Sequence, residues 1–228
     1  MAILIAFLHY LSKNQHNINQ KIDIMLLEFR VKNYKSIKDE MVLSLNASKD
    51  RTNLESHTLE TNIKSIPRVT RGAAIFGANA SGKSNLLNAF SYFKALVMQS
   101  ATVAVDHEFR VQPFLLDAKT KNEPSEFEVT FIKDEIRYQY GFSMTSERIT
   151  EEWLYVYKTA KPQHWFSRKY DFETQEDSFQ FGPSFTGQKD TWKQSTKQNS
   201  LFLSTAIQLN NSQLKDIYSW IANDLVFY

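Results

Sequence analysis

Cysteine is absent from the chain, which excludes disulfide staples and thiolate metal sites and fits a reducing compartment such as the cytoplasm. A surplus of positive charge is absent too. Lys and Arg number 27 against 25 Asp and Glu, a formal charge of +2, and that balance does not by itself point to nucleic acid. The five His include no H-x-x-x-H pair, so no structural metal is expected. The apolar run from Met1 to Tyr10 is far too short to span a bilayer, has no charged segment before it and no A-x-A-like cleavage site after it. No membrane partner and no leader are expected. Internal repeats and low-complexity tracts are missing as well. What is left is an ordinary globular composition, 228 residues of which 42% are hydrophobic, enough for one large domain or two small ones.

One stretch organises the rest. Gly77-Ala78-Asn79-Ala80-Ser81-Gly82-Lys83-Ser84 is a complete G-x-x-x-x-G-K-[ST] loop. Such a loop curls tightly enough to aim successive backbone N–H groups at phosphate oxygens, and bulky side chains there would block the approach. Gly77 and Gly82 meet that need, Lys83 reaches the β- and γ-phosphates of ATP, and Ser84 offers its hydroxyl to Mg²⁺. The context agrees. Ala73-Ala74-Ile75-Phe76 reads as a short buried strand entering the loop, and Leu86, Phe90, Phe93 and Val97 fall on one face of a helix running to about Ser100. That helix would direct its positive N-terminal end at the anion.

Taken in order, residues 1–24 read as an N-terminal extension, with Met25 the expected functional start, or alternatively as a helix docked on the domain. Leu27, Phe29 and Val31 alternate with polar residues, and residues 41–45 read as the partner strand across a turn at 32–39. Residues 46–68 form a long connection or flap. After the helix, 101–111 is irregular, and a β-rich region follows. Phe127, Val129 and Phe131 turn at 133–135 into Ile136, Tyr138, Tyr140 and Phe142; a second hairpin joins 149–158 to 165–170, and Phe179 and Phe181 add a short piece. These aromatics suit a sheet core better than a stacking platform for bases. The chain then turns helical. Ser200 is the expected N-cap of 201–209, and Ser212 of a helix carrying Leu214, Ile217, Tyr218 and Ile221. The working division is 1–24 extension, 25–100 nucleotide-binding core, 101–186 antiparallel β-rich arm and 187–228 helical segment.

Hydrolysis needs a carboxylate to hold Mg²⁺ and a group to orient the attacking water. Two apolar runs end in Asp, at Asp106 and Asp117, and neither has the second acid directly after it that the ABC class uses. Asp106 is the candidate magnesium carboxylate, although solvent-facing loop acids are the plainer reading of both. The guanine-specifying N-K-x-D pattern is missing.

GANASGKSN, preceded by MLLEFRVKNYKSIKDEMVLSL, resembles the bacterial AAA-type core ATPases of the ABC superclass, the RloA-like group related to SMC, RecF and OLD proteins. Asn85 after the loop, Gln112-Pro113-Phe114, the PSEFEV segment at 124–129, the YQYG strand at 138–141 and NSLFLS at 199–204 extend the likeness from Met25 to the end. The resemblance implies an α/β P-loop NTPase fold of the ABC-ATPase type, of which this chain holds only the N-terminal part. The signature motif, the Walker B Asp-Glu and the switch His belong to a C-terminal half, and Leu203-Ser204-Thr205-Ala206 lacks the glycine of an LSGG-type signature. It also implies head-to-tail dimers with two ATP molecules between protomers, and work beside nucleases or other effectors in phage defence. In related ATPases a Gln at the start of the arm contacts Mg²⁺ or the attacking water, and Gln112 is the match here.

Three readings compete. The leading one is the ATP-binding part of an ATPase that hydrolyses only with a C-terminal half and a second protomer. The second is a module that holds nucleotide without turnover to regulate a partner. The third, a small-molecule kinase, needs a basic lid that Arg137, Arg148 and Arg168, placed on strands or their ends, do not assemble. Lys189, Lys193 and Lys197, four apart, are the candidates for weak, salt-sensitive nucleic-acid contact if one helix carries them.

Overall fold

The computed structural model describes residues 3–5, 24–49, 52–79 and 81–225. Most of the expected extension, loop residue Ala80 and the last three residues lie outside it. In chain order the elements are β1 (Ile3–Ile5), β2 (Ile24–Lys32), β3 (Met41–Ser44), α1 (Leu54–His57), β4 (Thr58–Glu60), β5 (Arg68–Thr70), β6 (Ala73–Ile75) and α2 (Lys83–Gln99). Then follow β7 (Ser125–Lys133), β8 (Ile136–Met144), β9 (Ile149–Tyr157), β10 (Gln163–Asp171), β11 (Glu176–Phe181), α3 (Lys189–Ser195), α4 (Phe202–Gln208) and α5 (Lys215–Ser219), which runs into a π-helical turn, Trp220–Asp224.

Seven strands form one antiparallel sheet in the order β11-β10-β9-β8-β7-β2-β3. The three expected hairpins are present, β2 with β3, β7 with β8 and β9 with β10. The long-range join is β2 with β7, where Phe29 faces Val129 and Val31 faces Phe127. One sheet therefore runs across the boundary at residue 100, with β2 and β3 from one side of it and five strands from the other.

Alternation, interrupted by register shifts at Leu26/Glu28, Ser143/Met144 and His164/Phe166, gives this sheet two unlike faces. Phe29, Phe127, Phe131, Tyr140, Phe142 and Phe166 are buried on one of them, under α2, α4 and the π-helical turn. The rings mesh closely: Phe29 stacks on Phe90 of α2 at 3.7 Å, Phe93 stacks on Phe142 at 5.3 Å, and Trp220 lies flat on Phe131 at 3.8 Å. Each such side chain contributes about 1.5–3 kcal/mol by leaving water. The other face carries Arg30, Glu128, Arg137, Gln139, Trp153 and Tyr157, and stays partly open.

Four local expectations change. Ala73–Ile75 is not buried on both sides: β6 pairs antiparallel with β1, outside the large sheet, and alternates, with Ala73 and Ile75 packed on the core, Ala74 exposed and Phe76 76% exposed. Ser200 does not cap α4. Its hydroxyl accepts from Lys197 N at 2.9 Å and meets Thr205, while the Glu152 carboxylate, from β9, accepts from Phe202 N at 2.6 Å and Leu203 N at 3.0 Å. Ser212 does not cap α5, which begins after Leu214 with no side-chain cap; in the turn before it Asn211 Oδ1 accepts from Leu214 N at 2.9 Å. Lys189, Lys193 and Lys197 do not share a helix face, because α3 ends at Ser195 and Lys197 Nζ turns inward to the carbonyls of Ala101 and Val103.

Candidate functional site

The loop at 77–82 leaves β6 and opens into α2. Its geometry follows from its glycines. Gly82, the residue before the helix, has φ of +91°, a left-handed conformation that costs an L side chain about 1–2 kcal/mol, and a Cβ there would stand 3.1 Å from Ser36 Oγ. A Cβ on Gly77 would meet Ser81 Oγ at 2.7 Å. The loop closes on itself through Ser81 N, which donates to Ala78 O at 3.3 Å. Gly77, Ala78, Asn79, Ser81 and Ser84 are exposed, so the cradle faces solvent.

Lys83 decides the chemistry of the mouth. Its ammonium folds back over the loop and donates to Gly77 O at 2.8 Å and Ala78 O at 2.6 Å, with Ser81 Oγ at 3.4 Å. A cation lies across the concave side of a loop built from small residues, at the end of a helix whose first turn has no acid and no side-chain cap. Charge, donors and dipole all favour an anion there.

The helix start is tied to the turn between β2 and β3. Asn85 Nδ2 donates to Ser36 Oγ at 2.7 Å, and one residue earlier Lys35 N donates to Gln112 O at 2.7 Å. One turn thus joins the segment of Gln112, which is exposed, to the start of α2. Two left-handed residues shape it, Asn33 with φ of 53° and Lys35 with φ of 52°. Asn33 is buried, and its side chain pins the incoming segment. Nδ2 donates to Thr120 O and Glu123 O, both at 2.8 Å, and Oδ1 accepts from Phe114 N at 2.9 Å. Sequence reasoning took residues 32–39 for a plain turn. The signal it held was Asn33 in a turn, a residue that tolerates φ above zero and bonds nearby backbone.

The candidate carboxylates fall elsewhere. Asp106 is exposed beyond the C-terminal end of α2, whose 17 residues span about 25 Å from the loop. Its segment is anchored there by Asn199 Nδ2, which donates to Ala104 O at 2.8 Å and His107 O at 3.2 Å. Asp117 is committed to Lys38 at 2.7 Å and to the amides of Lys119 and Thr120, and these contacts, the Lys38 bond first, hold its carboxyl down at about 2. Gln112 is thus joined to the turn that also holds Asn85, while Asp106 lies in a segment joined to Asn199 beyond the far end of α2.

A glycine-shaped loop between a strand and a helix, with its lysine across the mouth, defines a P-loop domain of the ATPase type. Residues 73–218 match the model of a family described as "AAA domain, putative AbiEii toxin, Type IV TA system". The match covers more than half of the chain, and the chain belongs to this family, whose AAA domain is a nucleotide-binding one. No curated protein matches it. No helix among the described residues is long and apolar enough to cross a membrane.

Proposed function

We propose that residues 77–85 bind Mg-ATP and that the chain is the nucleotide-binding part of an ABC-class ATPase of the RloA-like group. The observation that carries this is Lys83, an ammonium drawn across a backbone-lined cradle by two carbonyls that phosphate oxygens would replace. Gly77, Ala78, Asn79, Ala80, Ser81 and Gly82 would supply backbone amides to the phosphates and Ser84 the hydroxyl for Mg²⁺, and Asn85 fixes the helix start through Ser36. Gln112, joined by its carbonyl to the turn that holds Ser36, would offer its amide to Mg²⁺ or the attacking water. Bound Mg²⁺ neutralises charge on the β- and γ-phosphates.

In this reading 25–100 is the nucleotide core, 101–186 an arm sharing its sheet, and 187–228 the helical segment that packs beneath. Turnover requires a C-terminal half and a second protomer, which bring the magnesium carboxylate and the trans-acting signature. A nuclease or other effector, a place in phage defence and a cytoplasmic location follow the same resemblance. Contact with nucleic acid by this chain alone is weak or indirect, since Lys197 is spent on backbone carbonyls. The position of Asp106 favours a second reading for the chain by itself, a nucleotide-binding module that regulates a partner without turnover.

Calorimetry with Mg-ATP on the wild type and Lys83→Ala tests the site; equal affinities would remove it from this loop. Phosphate release over a range of protein concentrations, against a Lys83→Ala/Ser84→Ala control, separates the two readings. The expected rate is that of the control. A rate well above it that is lost in Asp106→Asn would make the chain a complete enzyme.

A further inference from the structure

The open face of the sheet holds a second group of cations, at the end where β2 begins. β2 has nine residues and spans about 30 Å, and its far end leads to the turn that holds Ser36. Near its start a cavity of about 220 Å³ lies between the loop joining β4 to β5, the turn joining β7 to β8, and the end of β9. Its charged lining is Lys64, Arg137, Lys158 and Glu135, and Asn62, Ser65 and Thr159 add polar groups.

Arg137 is the telling residue. It sits directly opposite Tyr157 in the register of β8 and β9, and its guanidinium stacks over that ring at 3.6 Å. Tyr157 is itself held, its hydroxyl donating to Gln139 Oε1 at 2.8 Å. Stacking fixes the plane of the guanidinium and leaves its edge, with the N–H donors, unused. Nε is buried without a partner, and among the described residues the side chains of Lys64, Arg137 and Lys158 make no hydrogen bond or ion pair. The nearest acids on the other side of Arg137 are already engaged. Glu28 pairs with Arg30 at 2.8 Å, and Glu128 accepts from Gln139 at 2.9 Å and Trp153 at 2.7 Å. Glu135 takes a hydrogen bond from Asn62.

We infer that this cavity is a second anion site, separate from the loop at 77–84, that takes a phosphate monoester. Among the described lining residues, three cations against one carboxylate leave two positive charges in excess, which matches a group carrying about −1.5 to −2 at neutral pH. A planar fork with its face already covered is suited to bidentate contact with two oxygens of one phosphate. The cavity admits the phosphate and a few further atoms, so the ligand is a small phosphorylated molecule or the phosphorylated end of a larger one.

The test uses the full chain carrying Lys83→Ala and Ser84→Ala, so that the first site neither contributes nor, if absent, confuses the result. The probes are inorganic phosphate, AMP, and a short DNA strand with and without a 5′-phosphate, followed by the ¹⁵N–¹H signal of Arg137 Nε and by calorimetry. Inorganic phosphate and AMP are expected to shift that signal, and Arg137→Gln to weaken them at least tenfold. Arg137→Lys is expected to recover only part of the affinity, because it restores charge without the fork. Melting temperatures of both variants within a few degrees of the parent exclude unfolding as the cause; if Arg137→Gln melts early, Lys64→Gln/Lys158→Gln reports the same loss. Binding of both DNA strands with equal affinity would overturn the inference in favour of unspecific charge, and an unmoved Arg137 signal with every probe would overturn it outright. Phosphate-dependent binding of the DNA as well as AMP identifies strand ends as a source, and binding of the small probes alone identifies free phosphorylated molecules.

Discussion

All five described α-helices begin without a side-chain cap of their own, and α4 and α2 meet the deficit in opposite ways. At α4 the first amides are buried and receive a carboxylate from the sheet, Glu152, fully buried and further tied to Tyr140, whose hydroxyl donates to Oε1 at 3.0 Å. At α2 the first turn is open, with small residues before it and a lysine where an acid would ordinarily stand. The same physics is at work in both, unpaired N–H groups and a dipole that favours negative charge. One helix takes its acceptor from its own sheet and so serves the fold. The other leaves the place open, and on the proposed function an anion from outside takes it.

The largest effect is expected at the internal anion. Glu152→Ala leaves two amides and a phenol unsatisfied in the core and should cost about 3–5 kcal/mol, read by urea denaturation. A loss below 1 kcal/mol would mean that α4 does not depend on this cap. Gly82→Ala should cost about 1–2 kcal/mol from its left-handed φ, and should also weaken Mg-ATP by moving the loop. Unchanged affinity would place the ligand away from this backbone. Ser81→Glu sets a carboxylate beside the open helix start and makes α2 resemble α4. It is expected to lower Mg-ATP affinity about tenfold with little change in stability, the reverse of Glu152→Ala.

The smallest effect is in pH. Burial raises the Glu152 carboxyl above its usual 4.5, a rise that the amides of Leu203 and Phe202 only partly offset. The folded chain therefore holds this proton more tightly than the unfolded one. The resulting stability is fully present below 4.5 and is lost as pH rises through the folded value. The stability difference between wild type and Glu152→Gln should accordingly favour the wild type more at pH 5 than at pH 8. A difference independent of pH would show that Glu152 titrates alike in both states.

What was legible in the sequence was local. The loop at 77–84, the helix face of Leu86, Phe90, Phe93 and Val97, and the alternation of β7 and β8 all rest on residues a few positions apart, and all four of those apolar side chains are buried. The join of β2 to β7 was not legible, because the patterns of Phe29 and Val129 name a buried face without naming the neighbour a hundred residues away. Capping failed for the same reason. Ser200 has the right chemistry and the right place in sequence, but the carboxylate that reaches the amides of α4 comes from fifty residues earlier. Gln112 was reached only through a family likeness; what joins its segment to the turn is a backbone bond to Lys35, which no side-chain pattern records.

The far end of α2 is fastened as well. Ser204 Oγ donates to Val97 O at 2.6 Å, and Leu201 N donates to Ser100 Oγ at 3.1 Å, so the last turn of α2 is joined to the first turn of α4. A rod fastened at both ends does not swing when one end is loaded; it passes the load along its length. On the proposed function, a load that phosphate places on Lys83 would be shared between the β2–β3 turn, through Asn85 and Ser36, and the join at Val97 and Ser100, next to the helix that Glu152 anchors to the sheet. In mechanical terms α2 is a strut set between the loop and the aromatic core.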